Sequence, residues 1–104
     1  MEITEDKYIK QWLRQRDVKK SSTRQYLVVM NKYFQYHNLT PSQLIREARE
    51  DQTNIQWLSD HQINDRLYDF HDHLKENKVV SIKHYLSVIR NFYNHYEIQL
   101  PKMS

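Results

Sequence analysis

The chain is expected to be all-α, a compact bundle of four to five helices made from two helical hairpins. Three observations predict this: apolar residues recur at steps of three and four, helix-start signals head each apolar run, and nothing resembles a strand pair joined by a turn.

Thr4 reads as the cap of a first helix running to about Arg16, with Glu5 and Asp6 favouring the positive terminus. Its apolar face is Tyr8, Ile9, Trp12 and Leu13. After a connection from Asp17 to Ser21, Ser22 and Gln25 have the spacing of a capping box for a second helix, which ends near Asn38. Tyr26, Leu27, Met30, Tyr33, Phe34 and His37 share one side of it.

Thr40 followed by Pro41 starts a third helix, where a missing amide costs least. Leu44, Ile45 and Ala48 anchor it to about Arg49. Asp51 to Leu58 reads as a loop that Ile55 and Trp57 pin to the core. Ser59 and Gln62 give another capping-box spacing before Ile63, Leu67, Phe70 and Leu74 of a fourth helix. Asn77 to Val80 makes a turn, and Ser81 caps a fifth helix carrying Ile82, Tyr85, Leu86, Ile89, Phe92, Tyr93 and Tyr96. Pro101 lies in a tail, so the core domain is expected to cover about residues 5 to 97 of a single unit.

Composition removes whole classes of function. No cysteine means no disulfide and no thiolate metal site, and no glycine means no phosphate-cradling loop, dinucleotide fingerprint or conventional calcium hand. Apolar runs are too short for a membrane span or a signal peptide. No cofactor is implied. A prokaryotic or viral cytoplasm and a eukaryotic nucleus both remain open.

The second and fifth helices match at an offset of 59: Ser22 with Ser81, Arg24 with Lys83, Tyr26 with Tyr85, Leu27 with Leu86, Met30 with Ile89, and Tyr33-Phe34 with Phe92-Tyr93. Ile9 and Leu13 correspond approximately to Phe70 and Leu74 in the preceding helices. Two packed hairpins account for the repeat; convergence of amphipathic helices on similar spacings is the alternative. The repeated polar positions are Arg24, Val28, Asn31 and Gln35 against Lys83, Ser87, Arg90 and Asn94. At 100° per residue each set lies away from its aromatic stripe, and both sets are expected to point into one surface.

Net charge is only +3, but it is segregated. Residues 7 to 32 hold eight Lys or Arg against Asp17 alone, whereas residues 47 to 72 hold seven acidic and two basic side chains. Asp65, Asp69, Asp72 and Glu76 form an acidic stripe on the fourth helix. Arg and Lys neutralise phosphates, and Arg, Asn and Gln make directional contacts to base edges, so double-stranded DNA is the expected partner of the basic side. Solvated helix faces with local charge pairs are the plainer account of the same pattern.

His37, His61, His71, His73, His84 and His95 show no metal-ligand spacing, and the acidic stripe lacks the apolar setting that separates carboxyl pKa values. The tyrosines fall mostly on apolar stripes and are assigned to packing. Neither a GxSxG nor an HExxH motif occurs, so the chain is expected to be non-catalytic.

Ser22 through His37, and above all Ser81-Ile82-Lys83-His84-Tyr85-Leu86-Ser87-Val88-Ile89-Arg90-Asn91-Phe92-Tyr93, resemble the amino-terminal core-binding domain of tyrosine recombinases and phage-type integrases. The resemblance implies a sterile-alpha-motif-like domain whose crossed hairpins clasp one side of a recombination-site duplex. It makes Arg24, Gln25, Asn31 and Lys32, with Lys83, His84, Ser87 and Arg90, candidate DNA contacts. Lys19, Lys20 and Lys78 become candidate phosphate contacts from flanking turns. It further implies a separate carboxy-terminal catalytic domain with a Tyr nucleophile, no segment of which occurs here, and other recombinase protomers on the same DNA, in the cytoplasm or nucleoid of a prokaryote or its virus. An excised domain and a stand-alone relative both fit. The competing readings are a helical protein-interaction module, in which the acidic fourth helix or an exposed aromatic patch meets a partner and Trp57, Val28 and Val79 supply apolar contacts, and a small enzyme built from His and Asp residues.

Overall fold

Five α-helices run in order through the computed structural model, which describes residues 5–16, 19–57 and 60–100. They are α1 (Lys7–Gln15), α2 (Lys20–His37), α3 (Pro41–Asn54), α4 (Gln62–Glu76) and α5 (Ile82–His95), and no strand occurs among the described residues. The fold class is all-α. A radius of gyration of 13.3 Å is what a compact chain of this length reaches.

The buried faces of α2 and α5 repeat residue for residue. Val29, Met30, Tyr33 and Phe34 are buried on α2, and Val88, Ile89, Phe92 and Tyr93, each 59 positions later, are buried on α5. These helices pack against each other at the centre of the bundle. Trp12 of α1 closes the core from one end: its ring meets Phe92 edge-on at 5.2 Å and stacks on Tyr26 at 5.4 Å, while its indole N–H donates to Asn91 Oδ1 at 3.2 Å. That bond gives the buried Trp the partner its polar edge requires. Ile63, Leu67, Phe70 and Leu74 of α4 and Leu44, Ile45 and Ala48 of α3 are buried as their spacing implies.

Several helix starts differ from the sequence expectation. Thr4 lies outside the described residues, and the cap of α1 is Asp6, whose carboxylate accepts from Tyr8 N at 2.9 Å. Asp6 is buried and also accepts from Ser42 N and Ser42 Oγ, at 3.2 and 2.9 Å, which ties the first turn of α3 to that of α1. The capping box at Ser22 and Gln25 does not form. Lys19 already accepts from Thr23 N at 2.8 Å, so the helix runs through Ser22 from Lys20. Thr40 and Gln43 do form a reciprocal box ahead of Pro41. Ser81 stands at the start of α5 with no side-chain cap, and Tyr96 lies just past that helix instead of within it.

The expected loop at Asp51 is instead the last turn of α3, which continues to Asn54. The reason is tertiary. Asp51 is buried and accepts from Gln62 N at 2.7 Å, so α3 supplies from a distance the cap that α4 lacks locally. Ser59 lies outside the described residues, and His61, at the start of α4, instead donates from Nε2 to Ile55 O at 2.8 Å. Trp57 does not pin this connection, being 66% exposed.

Three helices end alike without glycine. Asn38, Lys78 and Glu97 adopt φ of 55°, 55° and 60°. The residues after them, Leu39, Val79 and Ile98, donate back to Phe34 O, Leu74 O and Tyr93 O. This is the Schellman arrangement, with an apolar residue tucked under each helix end.

Candidate nucleic-acid interface

Core packing on one side of α2 and α5 leaves their polar ridges facing outward. Arg24, Val28, Asn31 and Gln35 are exposed on α2, and Lys83, Ser87 and Asn94 on α5, while Arg90 is half-buried. The two ridges do not converge on one surface. Successive residues on a helix are 100° apart, so His84 opens toward α2 while Lys83 opens toward α4.

The α2–α5 groove, about 430 Å³, is lined by Arg24, Gln25, Val28, Val29, His84 and Tyr85. At its end Lys32 reaches across to α5. Its ammonium sits 5.4 Å from the centre of the Tyr85 ring and donates to the phenol oxygen at 3.1 Å. Lys32 therefore holds the groove's wall as well as charging it.

On the other side of α5, a groove of about 560 Å³ is lined by Lys83, Ser87 and Arg90 together with Ile82, Leu86, His71 and Lys75. The last two were not singled out from sequence. They sit four residues apart on the helix that carries the acidic stripe, and nothing in the sequence marks that edge as the one facing α5.

Asn31 lies apart from both, in a shallow groove with Gln35, Asn38, Thr40 and Gln43. Lys32 and Gln35 also border a cleft toward α4 formed with Tyr36, Phe70, His73, Asn77 and Val79. Lys19 and Lys20 are exposed at the start of α2, and Lys78 is exposed in the turn after α4. Of the eleven candidate contacts, Arg24, Gln25 and His84 thus share one groove, and Lys83, Ser87 and Arg90 share another. The α5 ridge separates them.

Asp65, Asp69, Asp72 and Glu76 are all exposed on α4. The helix's one Arg is engaged elsewhere, since Arg66 donates from Nε and Nη2 to both carboxylate oxygens of Glu47, at 3.1 and 2.9 Å. This bidentate bond raises the guanidinium pKa further and fastens α4 to α3.

The buried tyrosines serve packing. Burial pushes the Tyr33 and Tyr93 phenols well above the usual tyrosine range, and burial together with nearby Tyr8 pushes Tyr96 up to about 12. Among the described residues, no group of three or more His, Asp or Glu is placed to hold a metal ion. No helix among them is long and apolar enough to cross a membrane. Comparisons with protein-family models, curated proteins and solved structures found no match.

Proposed function

We propose that this chain binds duplex DNA with some sequence preference through the α2–α5 side, as the core-binding domain of a tyrosine recombinase or phage-type integrase that positions its enzyme on a recombination site. The observation that carries this reading is that Arg24 and Gln25 of α2 and His84 of α5, drawn from the two copies of the repeat, line one open groove, with Lys83 next along the ridge.

A major groove about 12 Å wide admits one helix about 10–12 Å across. In this arrangement the exposed edge of α5 enters with His84 leading and Lys83 beside it, and Arg24 and Gln25 meet the backbone or base edges on the α2 flank. Lys19, Lys20 and Lys78 supply phosphate contacts from the helix ends. The exposed acidic stripe of α4 is the side a duplex avoids. The alternative is a helical protein-interaction module; Trp57 and Val28 are exposed, and a contiguous apolar patch is the observation that would favour it.

The test is binding of a labelled random-duplex pool at several salt concentrations, followed by selection and sequencing. The parent is expected to enrich a motif with an affinity that falls as salt rises. The Arg24→Glu/Lys83→Glu variant should keep its helical signal and lose binding by tenfold or more, about one order from two reversed charges. Equal binding by parent and variant overturns the assignment.

A further inference from the structure

The α4–α5 groove differs in chemistry from the α2–α5 groove. Its floor is apolar: Ile82 and Leu86 are partly exposed side chains one helical turn, about 6 Å, apart. Its rim carries a cation on each wall, Lys75 on α4 and Lys83 and Arg90 on α5, while the His71 imidazole on α4 lies 3.5 Å from Asp72 of the acidic stripe. Each wall repeats at intervals of a helical turn, since His71 and Lys75, and Lys83 and Ser87, are four residues apart.

We infer that this groove docks an acidic amphipathic helix of a partner protein. Two apolar side chains four residues apart on the partner would cover Ile82 and Leu86, and its flanking Asp or Glu side chains would pair with Lys75 and Lys83. A duplex fits this site less well for two reasons. Phosphates offer nothing apolar to cover the floor, and a wide polyanion laid over α4 meets exposed Asp65, Asp69, Asp72 and Glu76. A single peptide helix, about 10 Å across, reaches the floor from between the walls without lying over that stripe.

This partner is additional to the DNA proposed above. Because Lys83 borders this groove and stands beside His84 on α5, a docked acidic helix would compete with the duplex for it.

The test uses the full chain, isotope-labelled on Ile and Leu methyls. The probe is a synthetic peptide of about five helical turns, carrying Leu at two positions four apart with Glu on both flanks, and its control is a scramble of the same composition. The ordered peptide is expected to shift the Ile82 and Leu86 methyls and to bind at least fivefold more tightly than the scramble. Lys75→Glu, at an exposed position, is expected to weaken it at least fivefold, whereas Arg24→Glu changes it less than twofold and instead weakens duplex binding. Equal binding of ordered and scrambled peptides, shifts confined to other methyls, or indifference to Lys75→Glu overturns the inference. So does a duplex that shifts Ile82 and Leu86 while the peptide does not. Loss of duplex binding in Arg24→Glu is read separately, so the two proposals fail independently.

Discussion

The phenol oxygens of Tyr33 and Tyr93 lie 2.9 Å apart in a hydrogen bond fully buried between α2 and α5. They occupy neighbouring places in the repeat, and their rings meet edge-on. Each hydroxyl would be a buried polar liability without the other.

Removing the second member should therefore cost less than removing the first. Tyr33→Phe or Tyr93→Phe is expected to destabilise the chain by about 1–2 kcal/mol, because it leaves the remaining hydroxyl unsatisfied. The double variant should lose clearly less than the sum of the two. Urea unfolding of the four proteins checks this, and strict additivity would refute the coupling.

The same pair sets an alkaline limit. Burial raises both phenol pKa values in the folded state above the ordinary 10.0, so the folded chain keeps protons that the unfolded chain releases. Their contribution is intact below about pH 10 and is lost as pH rises through the folded-state values. Denaturation midpoints measured upward from pH 9 should fall beyond pH 10, and fall less steeply in the double Phe variant.

At the acid end His37 works in the opposite direction. Burial lowers its pKa from 6.5, the nearby Arg66 guanidinium adds to the effect, and the bond from Nε2 to Arg66 O at 2.9 Å, with Asp69 and Glu47, opposes it. The unfolded chain therefore takes up this proton first. Stability present above about pH 6.5 is lost as pH falls toward the folded-state value. A His37→Gln variant should show a smaller drop between pH 7.5 and pH 5 in urea titrations, and an unchanged drop would show that other groups control it.

Left-handed residues at the ends of α4 and α5 carry avoidable strain. Lys78 and Glu97 hold φ of 55° and 60°, where a Cβ is unfavourable and glycine is not. Lys78→Gly and Glu97→Gly should each raise stability by about 0.5–1 kcal/mol once the greater freedom of glycine in the unfolded chain is offset. Thermal melts check this. A loss of stability in both would mean that the side chains contribute contacts outweighing the strain.

Asp51 caps α4 from α3. Asp51→Ala is expected to cost about 1–2 kcal/mol, the usual range for a lost N-cap made worse by burial, while Asp51→Asn keeps an acceptor for Gln62 N and costs less. Hydrogen exchange at Gln62 is the direct readout, and protection there equal to the parent's would show that another group caps the helix.

The helices, their core faces and the 59-residue repeat were legible because each rests on local periodicity. Val29, Met30, Tyr33 and Phe34 announce a buried face before any partner is known, and α5 repeats it. The caps were harder to read. Ser22 has the right chemistry, yet α2 begins before it at Lys20, and Asp6 and Asp51 hold the starts of α1 and α4 through bonds that reach Ser42 and Gln62 on other helices. Trp57 read as a pin for its loop, but among the described residues it is 66% exposed.

The candidate interface divides the same way. The sequence by itself determined which positions on α2 and α5 face outward, since a 100° step leaves Arg24 and Lys83 opposite their aromatic stripes. Only the tertiary structure decided what they face together. It set His84 beside Arg24 and Gln25, and Lys83 beside Lys75 of the helix that otherwise carries the acidic stripe. Periodicity assigns a side chain to a face of its own helix, whereas a groove is made by the edges of two helices. Which edges meet depends on how the buried side chains of the whole bundle interlock.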